Sequence, residues 1–71
     1  MPDYRAIQEH ARAAFNLAHD EMNIMTAGTP LEDADRETAD RWAELHDLMK
    51  LASIIIESAG RYALREQMTR A

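Results

Sequence analysis

Hydrophobic positions recur along this chain with the period of an α-helix, in two long segments. In the first segment the apolar side chains that fall on one side of a helix are Tyr4, Ile7, Ala11, Ala14, Phe15, Ala18, Met22 and Met25. At about 100° per residue they form a single stripe, which is typical of an amphipathic helix that packs against a core. Asp3 can cap the start of this helix and Gly28 follows its end, so the pattern predicts a first helix over residues 3–26.

The second segment opens with a strong helix-start signal. Thr29 can act as the N-cap, the following proline suits the first helical position, and Glu32 stands three residues after the cap, as in a capping box. The apolar stripe that follows is Leu31, Ala34, Thr38, Trp42, Leu45, Met49, Ala52, Ile56, Ala59 and Ala63. These signals predict a turn over residues 26–30 and a second helix over about residues 30–68.

Two interruptions of this second helix are open alternatives. Asp35 and Thr38 can both cap a helix, so a break over residues 35–38 would leave a short extra helix near 30–37 in front of a longer one. Gly60 marks the other candidate break, because glycine costs about 1 kcal/mol relative to alanine inside a helix. Each variant has the same fold class, an all-α antiparallel helical hairpin.

One face of the second helix changes character at its midpoint. Its first half carries carboxylates spaced four, three, four and three residues apart, at Asp33, Glu37, Asp40, Glu44 and Asp47. Its second half carries Leu51, Ile54, Ile55 and Tyr62. A hairpin with a short loop places Tyr4 near Ala52, and the longer second helix then has no intrachain partner beyond Ala52. A continuous exposed apolar patch marks an interaction site, so we expect these four residues to hold a homodimer that forms a helical bundle.

The small size of the chain favours assembly for an independent reason. Residues 1–71 are expected to form a single helical domain, and a chain this short buries only about 60% of its unfolded surface. Domains of this size usually add disulfides, a metal or another subunit, and this sequence contains no cysteine. Because no apolar run approaches the roughly 20 residues of a membrane span and the first residues do not resemble a secretory signal, we expect a cytoplasmic protein without a membrane partner.

The carboxylate row is the main candidate binding site. The chain has 13 acidic and 8 basic residues and a net charge of −5, a balance that disfavours direct contact with a nucleic-acid backbone. We expect a basic protein surface to bind the row, and the candidate partner-binding residues are Glu37, Asp40, Glu44 and Asp47. The plainest alternative is a solvated acidic face that is partly balanced by Arg36 and Arg41.

The spacing of two carboxylate pairs, Glu37-x-x-Asp40 and Glu44-x-x-Asp47, resembles the metal-binding pattern of the MazG-like nucleotide pyrophosphohydrolases. The resemblance implies a metal-dependent hydrolase as a third functional class. In that family the pairs lie on different helices that face each other across a bundle, whereas both pairs here lie on one helix.

The histidines give no second indication of a metal or of catalysis. His10, His19 and His46 lack the three- or four-residue spacing of helical metal ligands. His46 follows Trp42 by four residues and can stack on it. We therefore expect no cofactor, no metal and no catalytic residue.

Three short stretches, Asp33-Ala34-Asp35, Ala39-Asp40 and Leu45-His46-Asp47, resemble the second-helix start of the plasmid RNA-one modulator protein, a helical-hairpin dimer. The resemblance implies a shared architecture, the helical-hairpin dimer, and does not extend to RNA binding. A dimeric RNA- or DNA-binding regulator of the helical-hairpin type is the alternative function. The expected function is a non-catalytic protein–protein interaction or regulatory protein. An inhibitor of nucleic-acid-handling machinery, as encoded by phages and mobile elements, is one such protein.

Overall fold

A computed structural model describes residues 2–28 and 30–70 of the chain, with the side chains of all of these except residues 31 and 70. The regular structure of the described residues is entirely helical. Helix α1 spans Tyr4–Thr26, a 3-10 turn spans Leu31–Asp33, and helix α2 spans Arg36–Arg70. The two α-helices pack against each other as a hairpin, so the prediction of an all-α hairpin is confirmed.

Helix α1 begins at a side-chain cap and ends without the predicted glycine cap. The Asp3 Oδ1 atom accepts a hydrogen bond from the Ala6 backbone N–H at 3.0 Å, which satisfies one of the free donors of the first turn. At the other end, the Ala27 N–H donates to the Ile24 carbonyl at 3.3 Å. Gly28 has no positive φ, so the left-handed glycine cap that the sequence suggested is not used.

Helix α2 begins at Arg36 and is capped by Asp35, which selects one of the two open alternatives. The Asp35 Oδ1 atom accepts a hydrogen bond from the Thr38 N–H at 2.8 Å. Hydrogen bonds from the Thr38 side chain and backbone lower the pKa of Asp35 below its ordinary value, because they stabilise the carboxylate. The 3-10 turn is therefore separated from α2, whereas Gly60 lies inside α2 without a break. The capping box predicted at Thr29 lies outside the described residues.

The two helices pair in a different register from the expected one. The ring centroids of Tyr4 and Tyr62 lie 5.5 Å apart, so Tyr4 is displaced by ten residues from its predicted position near Ala52. The Gln8 Nε2 atom donates a hydrogen bond to the Ile56 carbonyl at 3.1 Å, which agrees with the same register. The prediction that residues beyond Ala52 have no intrachain partner is wrong, because residues 27–35 form a longer connection and α2 starts later.

The seam between α1 and α2 is narrow. Among the described residues, the buried apolar ones are Ala11, Ala18, Met22, Ala52 and Ala59. Small side chains allow two helix backbones to approach closely, but each removes little apolar surface from water. No large side chain of the described residues is fully buried.

The shape of the hairpin leaves an unusually large surface exposed to water. The molecule measures 55 × 15 × 14 Å, and its radius of gyration is 16.3 Å, compared with about 11 Å for a compact domain of this length. Its accessible surface is 5595 Å², roughly a quarter more than the ~4500 Å² expected for a folded monomer of this mass.

Candidate functional site

Four of the five predicted carboxylates follow one another along the first half of α2, and all four are exposed. They are Glu37, Asp40, Glu44 and Asp47, and we call them the acidic ladder. Their spacing of three or four residues brings them to one side of the helix, about one turn or 5 Å apart along its axis. Asp33 does not belong to this row, because it lies in the 3-10 turn and lines a separate hollow with Met25 and Thr38. The prediction of five carboxylates on one helix is therefore wrong for Asp33.

The acidic ladder is only weakly neutralised by its own helix. Arg41 Nη2 lies 3.4 Å from Glu37 Oε1, and these side chains are 65% and 77% exposed. An exposed pair of this kind contributes about 0–1 kcal/mol, so Glu37 can exchange its partner at little cost. Among the described side chains, the other three ladder carboxylates form no ion pair.

The ladder carboxylates form a line and do not converge on a point. Within the part of the chain that the structure describes, no three His, Asp or Glu side chains are grouped so that they could hold a metal ion. The negative charge is instead distributed along successive turns of one helix. A linear charge distribution of this kind is complementary to a basic surface and attracts it over a distance.

The histidines and the tryptophan do not form a group that could hold a metal ion with these carboxylates, among the side chains that the structure describes. The rings of Trp42 and His46 are stacked, with centroids 5.4 Å apart and planes inclined by 10°, as their four-residue spacing predicted. Trp42 is half-buried, where the stripe predicted it to face the first helix. His19 Nδ1 lies 3.4 Å from the side-chain nitrogen of Asn23, its neighbour one turn later, and His10 is exposed.

The four predicted dimer residues lie beside α1 and nevertheless remain exposed. The exposed fractions are 57% for Leu51, 57% for Ile54, 45% for Ile55 and 41% for Tyr62. The structure adds three residues that the sequence reasoning missed, namely Ile7, Leu17 and Leu48, which are 46%, 64% and 55% exposed. A signal for Leu48 was present, because it lies three residues before Leu51 and therefore on the same side of α2.

These apolar side chains form one continuous surface. One groove is lined by three seam alanines, the half-buried Leu45, one carboxylate and four exposed apolar residues. These are Ala11, Ala18, Ala52, Leu45, Glu21, Leu17, Leu48, Leu51 and Ile55. Ile55 also lines a second apolar hollow, together with Tyr4, Ile7, Ile54 and Tyr62. We call this combined surface the apolar face, and its exposed large residues are Ile7, Leu17, Leu48, Leu51, Ile54, Ile55 and Tyr62.

Helix α2 therefore changes from acidic to apolar along its length, and its last part carries both arginines and glutamates. Glu44 of the acidic ladder lies one turn before Leu48 of the apolar face. At the far end the Arg65 guanidinium lies 5.3 Å from the centre of the Tyr62 ring. Arg61 Nη2 lies 3.4 Å from Ser58 Oγ, and both arginines are exposed.

No family model, curated protein or solved structure matches this chain. In the described part of the chain, neither α1 nor α2 combines the length and the apolar character that a membrane crossing requires.

Proposed function

We propose that this protein is a non-catalytic regulatory protein that acts as a homodimer and binds a basic surface of another protein through the acidic ladder. The observation that carries this proposal is the arrangement of the four ladder carboxylates, which are exposed, aligned and barely neutralised. An inhibitor of a nucleic-acid-handling protein would fit this class, because such proteins carry channels lined by Lys and Arg that hold phosphates. A row of carboxylates can occupy such a channel in place of the phosphates.

The binding mechanism follows from the charge of the ladder. Complementary charge accelerates association, and mobile ions weaken the effect because the screening length is about 8 Å at physiological ionic strength. The cost of engagement is small, since only Glu37 gives up an ion pair and this pair is exposed. We therefore expect an affinity that falls as salt is added.

The apolar face supports the homodimer. A hairpin whose buried residues are four alanines and one methionine has little core of its own, and small domains of this kind are commonly stabilised by another subunit. The surface of the hairpin exceeds that of a typical monomer of its mass by about 1,100 Å². A standard interface removes about 800 Å² from each partner, so a second copy on the apolar face would account for about three quarters of this excess.

The test is a comparison of two charge-reversal variants with the same net charge. In the ladder variant Glu37, Asp40 and Glu44 are changed to lysine. In the control variant three exposed carboxylates outside the ladder, Glu9, Asp20 and Glu57, are changed to lysine. Partners captured by the wild type from a lysate are identified by mass spectrometry, and the affinity of the purified partner is then measured at several salt concentrations.

The ladder variant should weaken partner binding at least 100-fold and reduce its salt dependence, whereas the control should change it only a few-fold. Equal losses in both variants, or no loss in either, would overturn the ladder as the binding site. Light scattering on each variant shows whether the dimer persists. Co-purifying RNA or DNA that is lost when Arg5 and Arg12 are neutralised would replace this proposal with the nucleic-acid-binding regulator.

A further inference from the structure

We infer that the proposed homodimer is pH-sensitive, because His10 lies at the centre of the apolar face and becomes enclosed there when a second copy docks. This inference rests on the proposed homodimer and adds its regulation. Histidine is the side chain whose charge ordinarily changes between about pH 5 and pH 8. The dimer is therefore tight while His10 is neutral and weakens when His10 takes up a proton.

His10 shares a side of α1 with residues of the apolar face. It follows Ile7 by three residues and precedes Ala14 and Leu17 by four and seven, and residues at these spacings lie on one side of a helix. Ile7 lines the hollow, whereas Ala14 and Leu17 line the groove. His10 is exposed in the single hairpin. It therefore lies on the open surface between the hollow and the groove.

The centre of the apolar face lies beside His10. On α2 the exposed large residues of this face run from Leu48 to Tyr62, so their midpoint is residue 55. Ile55 lines the groove together with Ala11, which is the chain neighbour of His10. His10 is therefore level with the midpoint of the face.

A two-fold axis keeps the two His10 side chains close together, whichever way the helices of the second copy run. Both copies of an isologous interface use the same patch, so the axis passes through the centre of the patch. With helices about 8–10 Å apart in each hairpin, His10 lies about 5 Å from this centre and within roughly 10 Å of its own copy. Apolar side chains of both copies then surround each His10.

The charged residues of α1 do not neutralise a protonated His10. Glu9 and Arg12 are one and two residues away, but they are turned by about 100° and 200° around the helix and have opposite signs. On the side of His10, the nearest charged residues are Asp3 and Glu21, about 10 and 16 Å away along the axis. Both distances exceed the screening length of about 8 Å.

The charged residues of α2 do not supply a counter-charge at the centre either. Glu57 is turned by about 200° from Ile55 around the helix, and Asp47 and Arg65 lie about 12 and 15 Å from residue 55 along the axis. A two-fold axis through the centre keeps these distances from the centre for the second copy as well. The charged residues of α2 that lie nearer along the chain, apart from Glu57, are the cations Lys50 and Arg61.

Closing the dimer therefore costs more when His10 is charged. Burial disfavours the protonated form of a histidine, and two protonated rings this close together also repel each other. Dimerisation then releases protons, so the dimer weakens as the pH falls. The net charge of −5 predicts the opposite trend, because protonating histidines makes each copy less negative and reduces the repulsion between copies. The sign of the pH dependence therefore separates the local effect of His10 from the effect of net charge.

The test compares dimer dissociation constants at about pH 8 and about pH 6, a range in which histidines titrate and carboxylates stay ionised. Sedimentation equilibrium is run on the wild type, on His10→Gln and on two control variants, His19→Gln and His46→Gln. The controls are matched because His19 lies nine residues after His10 and His46 nine residues before Ile55, in each case on the opposite side of the helix. Circular dichroism checks that every variant keeps its helices at both pH values.

The wild type and both controls should dissociate roughly tenfold more readily at the lower pH, because an ordinary histidine is mostly protonated there and the effect applies to both copies. His10→Gln should abolish this difference. A wild-type dimer that is unchanged or tighter at the lower pH, or a His10→Gln dimer that keeps the dependence, would overturn the inference and leave the homodimer standing. Loss of the dependence in either control would also overturn it. A mass near 8.1 kDa at tens of micromolar and about pH 8 would instead overturn the homodimer itself.

Discussion

Replacing Leu51 by alanine tests whether the apolar face is covered by a second copy. Leu51 is 57% exposed in the single hairpin, so in a monomer much of its side chain gains nothing from burial. In the proposed dimer the exposed part becomes buried in both copies. Leu51→Ala should therefore weaken dimerisation strongly while changing the fold of the hairpin little.

The expected magnitude follows from the area that remains to be buried. Full burial of a leucine side chain is worth about 1.5–3 kcal/mol, and somewhat more than half of this remains available in the hairpin. After allowing for the β-carbon that alanine retains, the loss is roughly 1 kcal/mol for each copy. A symmetric dimer suffers the loss twice, which gives about 2 kcal/mol and a roughly 30-fold increase of the dissociation constant.

Helix α2 offers a closely matched control for this substitution. Leu64 is also 57% exposed, but it lies thirteen residues beyond Leu51, which at 100° per residue turns it away from the apolar face. Dimer dissociation constants are measured for the wild type, Leu51→Ala and Leu64→Ala by sedimentation equilibrium. Equal effects of the two substitutions, or an unchanged constant for Leu51→Ala, would refute the proposed interface.

Three further predictions concern the hairpin itself, and each is measured at a fixed protein concentration because dimerisation adds to stability. Asp35→Asn should keep the cap of α2, and Asp35→Ala should remove it. Because the folded-state pKa of Asp35 lies below 3.8, the stabilisation by its carboxylate is present above that pH and is lost as the pH falls further. Helical circular dichroism of the wild type and Asp35→Asn over this pH range will show the difference. Ala52→Leu should destabilise the fold by about 1–3 kcal/mol in urea unfolding, since Ala52 is 6% exposed and a larger side chain would force the helices apart. Gln8→Ala should cost about 0.5–1.5 kcal/mol in the same assay, because it deletes the side-chain hydrogen bond to the Ile56 carbonyl. Unfolding midpoints that equal the wild type would contradict the last two.

The first helix was predictable because its signals are local and agree with each other. Asp3 caps the helix by a hydrogen bond to a residue three positions later, and the apolar stripe follows without interruption. Ala11, Ala18 and Met22 of that stripe are buried against α2. Helical periodicity alone therefore identifies both the element and most of its packing side.

The register of the hairpin was not predictable, because two start signals compete within a few residues. The chain contains one capping signal at Thr29 and another at Asp35, and local propensity does not rank them. The structure starts α2 at Arg36, after Asp35 has bonded to Thr38. Residues 31–33 form a separate 3-10 turn, and the longer connection moves every later residue relative to α1.

Gly60 shows how a local signal is reversed by tertiary structure. Glycine weakens a helix interior, so the sequence indicated a possible end of α2 there. In the hairpin the side chain of Gln8 lies beside Gly60, and a β-carbon at this position would lie 3.0 Å from Gln8 Nε2. The missing side chain therefore leaves room for the Gln8 amide that bonds to the Ile56 carbonyl, and Gly60 does not interrupt α2.

The narrow alanine seam and the exposed apolar face have the same physical cause. Among the described residues the seam buries four alanines, Ala11 and Ala18 of α1 and Ala52 and Ala59 of α2, and Met22 is the one large side chain buried with them. The leucines and isoleucines of the apolar face lie beside this seam, where one hairpin leaves them exposed. A second copy would cover them, provided that its acidic half is kept away from the acidic half of the first.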